Sequence, residues 1–430
     1  MSALAPSIVL AVRPRGAKAA GVSDVEKLLS AAGIACEKVT PCPPTVAHGA
    51  RWEAEIEPGG AHVWLEPAPR ETIEEMTRDA GLEWRGVLDE DVQSATEATW
   101  AMGVGVELGD EPLGEYHQQL KLLAALAPDA VFALDVSALT PRPGEWLAEV
   151  AASQAPPSPE TLFTIHCVGD QGESTVWMHT HGLDRCGSVE LDLVDVPASF
   201  VSLAGTLLNT VATMFIEQGV PEADEVFVAG HGIELLWLPW EDAMDKVGRN
   251  VPGGRGDRRD EAHCGARGVL FAPAKGLFGR RKHKGVDYYR EQLEQNPLLY
   301  ISDMQTERAA ALARERLPRF RALYERFSED KTDEGEKAWL FLVKLGYTID
   351  GAESETDREH LWFEIHAMSD ERVEATLLNE PYSIASMREG QRGEHSLSKL
   401  SDWTVLCEHG RFEPDTIREL ERLLEKESNP

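Results

Sequence analysis

A chain of 430 residues is too long for one compact core, so two or three domains are expected. Its 42% hydrophobic and 27% charged residues are those of an ordinary soluble globular protein. The formal charge of −32 argues against nucleic-acid backbone and anionic lipid as partners, and is compatible with a basic protein partner or a plain acidic surface.

No apolar run reaches the roughly 18 residues needed for a bilayer span. Residues Ile8–Val12 are apolar, but Pro6, Arg13, Pro14 and Arg15 enclose them, and the run is too short for a signal-peptide core. No membrane association and a cytoplasmic location are therefore expected. Six cysteines (Cys36, Cys42, Cys167, Cys186, Cys264, Cys407) are scattered without a C-x-x-C pair. That pattern gives neither a disulfide framework nor a finger-type zinc site, and predicts free, mostly buried thiols.

In chain order, Ile8–Arg13 reads as a strand. A helix over Val25–Ala32 follows, capped by Ser23-Asp24 and closed by Gly33. Ala35–Thr40 returns as a strand. Trp52–Ile56 and His62–Glu66 form a hairpin across Pro58-Gly59-Gly60. A helix over Arg70–Ala80 completes an order that suggests a ferredoxin-like α+β layer. Val92–Leu108 has an extended character. Leu113, Tyr116, Leu120, Leu123 and Leu126 have helical spacing. Ala130–Asp135 is a strand, Pro143–Ala152 a short helix, and Ser153–Pro159 a linker or exposed loop.

Thr161–Val168 and Ser174–Thr180 flank Gly169-Asp170-Gln171-Gly172, a hairpin signal. Ser199–Ile216 is a helix with Phe200, Leu203, Leu207, Leu208, Val211 and Phe215 on one wide apolar face. Glu225–Ala229, Glu234–Leu238 and Val269–Ala272 are strands. Gln305–Phe327 is a long helix, and Ser328–Lys337 is too charged to bury a core, so a boundary is placed there. Beyond it, His360–Ala367, Val373–Leu378, Glu394–Leu397 and Asp402–Leu406 alternate between turn residues, and Ile417–Leu424 is a terminal helix.

The fold class expected is α+β, with mainly antiparallel sheets and helices packed on one face. Three units are expected. Residues 1–88 would form the ferredoxin-like domain and 89–327 a central α+β domain, with a subdivision near 153–159 left open. Residues 338–430 would form a small β-rich, barrel-like domain with a C-terminal helix.

The sharpest chemical feature is Trp177-Met178-His179-Thr180-His181. On a strand, residues two apart share a face, so His179 and His181 point the same way and offer half of a metal site, for which zinc is the natural ion. A further ligand is sought in His231, Glu190 or His263. His231 lies between Gly230 and Gly232, where the backbone can approach another group. If Val168 faces Ser174, Ile165 faces Trp177, and His166 falls on the opposite face from both histidines; a one-residue change in loop length reverses this. Backbone hydrogen bonding at a hairpin end is the plainer role for the pair. Trp177 and Glu190 complete the ligand-binding candidates. A second feature, Arg280, Arg281, Lys282 and Lys284, is a short basic run that would touch phosphate or lie solvated; no phosphate-cradling motif accompanies it. Neither a G-x-S-x-G nucleophile elbow, a kinase set nor a dinucleotide fingerprint is present.

Two resemblances add to this. The residues H-L-W-F-E, T-L-L-N-E-P-Y, E-G and S-D-W within Glu359–Leu406 resemble the bacterial family called domain of unknown function 2314. The residues H-T-H-G-L at 179–183, G-H-G-I-E-L-L-W-L-P-W-E at 230–241 and T-E-R-A-A-A-L-A-R-E-R-L-P-R-F at 306–320 are similar to domain of unknown function 4026. Together the resemblances imply a bacterial, soluble, multi-domain protein and no particular reaction. The expectation is a non-catalytic binding or adaptor protein acting through protein–protein contacts, with an immunity-like variant. The alternative is a metal-dependent hydrolase-type enzyme using His179, His181 and His231. No cofactor is expected on the first reading, and zinc on the second.

Overall fold

A computed structural model describes residues 5–43, 49–78, 82, 86–169, 174–248, 251–258, 263, 265–275, 281–295, 303–331, 337–354 and 357–428. It is 34% helix and 33% strand, with three mostly antiparallel sheets and no closed barrel. The chain divides into two compact units, 1–152 with 157–301, and 153–156 with 302–430.

The first sheet of the first unit contains β1 (Ser7–Val12), β2 (Lys38–Cys42), β3 (Trp52–Glu57), β4 (Ala61–Pro67), β5 (Trp100–Val106), β6 (Phe132–Asp135) and β7 (Thr140–Pro143). Their order is β2-β3-β4-β5-β1-β6-β7, with every neighbour antiparallel. Alternation along the strands sends Val9, Ala11, Val63 and Met102 to one side, against α1 (Val25–Ala31), α4 (Pro112–Leu126) and α5 (Gly144–Ala152). Leu10, Val12, Trp64 and Phe132 face the other side, where Ile73 of α2 (Arg70–Met76) and Ala95 of α3 (Asp89–Thr96) cover part of them.

This arrangement corrects the expected organisation. The boundary at 88 falls inside one sheet, because Val63 of β4 pairs with Val104 of β5. The strand order is not that of a ferredoxin-like layer, and helices cover both faces. The start of the stretch read as extended is α3. Asp89, Glu90 and Asp91 occupy its first turn, where carboxylates complement the positive helix end, and the Leu88 N–H donates to Asp91 at 2.8 Å.

The second sheet contains β8 (Thr164–Val168), β9 (Thr175–His181), β10 (Glu190–Pro197), β11 (Phe227–Gly230), β12 (Ile233–Pro239), β13 (Arg267–Lys275) and β14 (Arg281–Lys284). The order is β11-β12-β13-β10-β9-β8, with β14 also on β13; β10 and β13 run parallel. One face packs on α6 (Val201–Gln218) through Leu207, Leu208, Val211 and Phe215, each at most 2% exposed. By length and composition Ala198–Gln218 passes as a bilayer span, contrary to the expectation for this chain; half of it is buried against the sheet, which accounts for its apolar character. The other face carries Trp177, Leu236, Leu238, Val269 and Phe271 beneath α7 (Trp240–Ala243). The short helix α8 (Arg290–Glu294) adds Leu293 to the α6 side.

An ion pair ties the two sheets together. Arg185, just beyond β9, is fully buried and donates to both oxygens of Asp135 on β6, at 3.0 and 2.8 Å. Tyr116 donates to the same carboxylate at 2.6 Å, and the guanidinium lies 4.8 Å from the Tyr116 ring centre.

The second unit begins with α9 (Asp303–Phe327) and continues as β15 (Leu340–Thr348), β16 (Arg358–Met368), β17 (Arg372–Leu377), β18 (Arg392–Ser396), β19 (Leu400–Cys407), β20 (Gly410–Phe412) and α10 (Ile417–Ser428). The sheet order is β18-β17-β16-β15-β19-β20, open rather than barrel-like. The long helix belongs here and not to the central region. Its Phe320 is fully buried with the ring 4.9 Å from that of Trp403, whose Nε1 donates to the Ala313 carbonyl at 3.0 Å. The domain break therefore precedes the helix instead of following it at 328–337. Among the described cysteines all are free, but Cys167 is exposed and Cys36, Cys42, Cys186 and Cys407 are only partly covered, so the thiols are not mostly buried.

Candidate metal centre

Four imidazoles meet on the α7 side of the second sheet. Strand β9 supplies His179, 1% exposed, and His181, 9% exposed, on the face that also carries Trp177. Strand β8 pairs with β9 so that Val168 faces Trp177 and His166 faces His179. This register differs from the expected one by three residues, because Val168 faces Trp177 and not Ser174. An odd displacement reverses the face, so His166 joins the pair it was expected to oppose. The ligand atoms of His166, His179 and His181 all lie within 4.8 Å of one another. His263, from the segment before β13, is the fourth, with its Nε2 3.3 Å from that of His179. Ring centres are 4.9 Å apart for His166–His181, His179–His181 and His179–His263.

A buried polar layer sits beside the rings. Asp192 on β10 is fully buried and pairs in register with His179. It accepts from Trp177 Nε1 at 3.0 Å, Arg258 at 2.9 Å and Arg267 Nε at 3.2 Å. Arg267 also donates to the Thr180 carbonyl at 2.9 Å, and Arg258 to that of Gly253 at 3.0 Å. Gly253 has φ +78°, and a Cβ there would lie 2.5 Å from the Trp177 ring, so only glycine lets this loop close over the tryptophan. Both guanidiniums bond the Asp192 carboxylate next to the imidazoles. Burial first, then His181, Arg267, His263 and His166, lowers the pKa of His179 from 6.5 to about 2. Its ring is neutral at every physiological pH, which is the protonation state a metal ligand needs. The His179 Nδ1 is buried and has no hydrogen-bond partner among the described residues.

The remaining expected residues lie elsewhere. His231 is exposed in the turn between β11 and β12. Strand β12 is three places from β9 in the sheet, about 14 Å at the usual strand spacing. His231 therefore does not share a site with His179 and His181. Glu190 is committed to structure: it accepts from Thr180 Oγ1 at 2.5 Å and from the backbone N–H groups of Gly182 at 2.7 Å and Asp184 at 3.3 Å. Burial raises its pKa. Trp177 packs against His179 with ring centres 4.0 Å apart. In the basic run, Arg280 and the side chains of Arg281 and Lys282 lie outside the described residues; Lys284 is exposed at the end of β14. Sequence reasoning missed Asp192, Arg258 and Arg267.

A second cluster lies on the first sheet. His62 Nδ1 is 4.0 Å from Cys42 Sγ, and its Nε2 is 3.1 Å from Glu53. The order thiol, imidazole, carboxylate is that of an activated nucleophile. However, burial first and then Glu53 and Glu55 raise the pKa of Cys42, opposite to what a reactive thiolate requires.

Residues 62–157 match the model described as Protein of unknown function (DUF4026) N-terminal, and 165–271 match its C-terminal counterpart. Residues 303–429 match DUF2314, described as an uncharacterized protein conserved in bacteria. The chain thus carries segments that match both family models. The DUF4026 segments cover β4 to α5 and β8 to β13, so all three strand-borne or loop-borne elements of the imidazole cluster fall in the C-terminal one. The helix at 306–320, whose residues resembled DUF4026, falls within DUF2314 and packs on that family's sheet. No curated protein and no solved structure matches the chain.

Proposed function

We propose that this is a metal-binding protein that holds one first-row divalent ion, zinc foremost, on His166, His179, His181 and His263. The observation that carries the reading is the spacing of the rings. A tetrahedral ion at about 2.0–2.1 Å from each nitrogen places two ligand nitrogens about 3.3–3.4 Å apart; the His179–His263 separation is 3.3 Å. Imidazole donors without thiolate suit Zn, Cu, Fe or Ni. The Asp192–Arg258–Arg267 layer holds β9, β10 and β13 together and so fixes the strand that carries two of the ligands. Glu190 and Asp192 are both engaged by other donors, so the site supports metal holding better than the hydrolase reaction considered from sequence.

Zinc titration of the chelator-treated protein, followed by calorimetry and elemental analysis, tests this. About one equivalent per chain is expected, lost in His166→Phe and His179→Gln and kept in His231→Ala. Retention below about a tenth of an equivalent by the wild type, or loss in His231→Ala, would overturn it.

A binding role through protein contacts keeps one specific support, in the second unit. Tyr382 is 88% exposed, on a loop whose N–H groups at Tyr382 and Ser383 donate to Glu359 at 2.7 and 2.9 Å. A held loop presenting an aromatic ring is a recognition feature. Loss of a captured partner on Tyr382→Ala supports this reading, and unchanged capture removes it.

A further inference from the structure

The Cys42–His62–Glu53 cluster, unsuited to a reactive thiolate, has the donors of a metal site. Its placement follows from the register of three strands. Cys42 on β2 is opposite Glu53 on β3, and Glu55 on β3 is opposite His62 on β4. Residues 53 and 55 share a face, so Cys42, Glu53 and His62 project from the same side of the first sheet. Ligand atoms of the three lie within 4.8 Å of one another. Cys42 is partly covered and the His62 side chain is 27% exposed, so the pair stands where an ion can arrive from solvent.

The ring is held by its far nitrogen. Glu53, 1% exposed, accepts from His62 Nε2 at 3.1 Å. That bond keeps the proton on Nε2 and leaves the lone pair on Nδ1, which lies 4.0 Å from Cys42 Sγ. A carboxylate behind the imidazole is the usual outer partner of a metal-ligating histidine. The gap between Nδ1 and Sγ then selects the ion. With bonds of about 2.3 Å to sulfur and about 2.0–2.1 Å to nitrogen, a tetrahedral ion holds the two atoms about 3.6 Å apart, and a linear one about 4.3–4.4 Å. The observed 4.0 Å calls for an open angle. The His179–His263 separation of 3.3 Å on the second sheet suits the closed one. Thiolate donors select soft ions, copper(I) among them, and copper(I) accepts few ligands at wide angles.

We propose that Cys42 and His62 clamp one soft monovalent ion, copper(I), between Sγ and Nδ1, with Glu53 orienting the ring. Binding replaces the thiol proton, which leaves to solvent, by a copper–sulfur bond, and no electron is exchanged. The site is on a different sheet from the imidazole cluster and does not depend on the metal proposed there.

The probe is copper(I), added without oxygen to the full chain in competition with bicinchoninate, a chromogenic copper(I) chelator. Wild type should withdraw about one equivalent from the chelator. Cys42→Ala and His62→Gln should each weaken that retention at least about tenfold. Cys167→Ala, which removes an exposed thiol, and His179→Gln, which removes an imidazole of the other cluster, should retain the ion as wild type does. Nitrogen-15 spectra of the silver(I)-loaded protein, silver standing in as a redox-inert ion, should show the ion on His62 Nδ1 and the proton still on Nε2. The proposal is overturned by a wild type that yields all copper to the chelator, by full retention in Cys42→Ala or His62→Gln, by loss in Cys167→Ala or His179→Gln, or by an ion on Nε2. Should His62→Gln fail to fold, Cys42→Ala and the nitrogen spectra decide the matter.

Discussion

Acidification of the metal-free protein should cost stability through His179 in an amount the structure sets. The ordinary value of this imidazole is 6.5, and in the fold it falls to about 2. Between those values the unfolded chain binds a proton that the folded chain refuses. Stability from this group is therefore complete above pH 6.5 and declines as the pH falls toward 2. At pH 5 the unfolded-state advantage is RT ln(1 + 10^1.5), about 2 kcal/mol. Any folded value under about 4 gives the same figure. The assay is urea unfolding in the presence of chelator, read by far-ultraviolet circular dichroism at about pH 7.5 and about pH 5, for wild type and His179→Leu. Wild type should lose about 2 kcal/mol more than the variant over that interval. Equal losses in the two proteins would mean that the ring charges freely, and the description of a neutral, closely packed imidazole cluster would be wrong.

Two further outcomes follow from buried charge. Asp192→Asn leaves Arg258 and Arg267 without their shared carboxylate, and should destabilise the first unit by roughly 3–5 kcal/mol in urea unfolding while weakening zinc binding. In the second unit, burial first and then Glu413 raise the pKa of Asp402 from 3.8 to about 7. Here the unfolded chain ionises first, so stability falls as the pH rises from 3.8 toward 7. A carbon-detected carboxyl titration should show a midpoint near 7, and Asp402→Asn should abolish that part of the pH dependence.

Local patterns in this chain were legible, and long-range pairing was not. The wide apolar stripe of Leu207, Leu208, Val211 and Phe215 marked α6 because a helix packing on a sheet must bury such a stripe. The alternating runs after residue 358 marked β16 to β19 for the matching reason with period two. The insertion of β1 between β5 and β6 had no local signature, since it depends on pairings such as Ser7 with Val106 and Val9 with Asp135, far apart in the chain. The imidazole cluster shows the same division. His179 and His181 followed from strand geometry alone. Placing His166 beside them required the parity of one connection, which no turn motif between Val168 and Trp177 determined. Strand β10 did carry an available signal, since Asp192 and Val194 alternate with Leu191 and Leu193 before the bulge that follows Leu193, and reading it would have drawn attention to Asp192. His263 lies in an irregular segment, where spacing says nothing about direction.

The contact between Arg185 and Asp135 bears on how such chains can be cut and recombined. The residues belong to the C-terminal and N-terminal DUF4026 segments respectively. Separating those segments near residue 160 would strand a guanidinium on one piece and a carboxylate on the other, each at a surface shaped to exclude water. The two halves are thus better regarded as one inheritable unit than as interchangeable modules, and a genome encoding either alone would need a different residue at position 135 or 185.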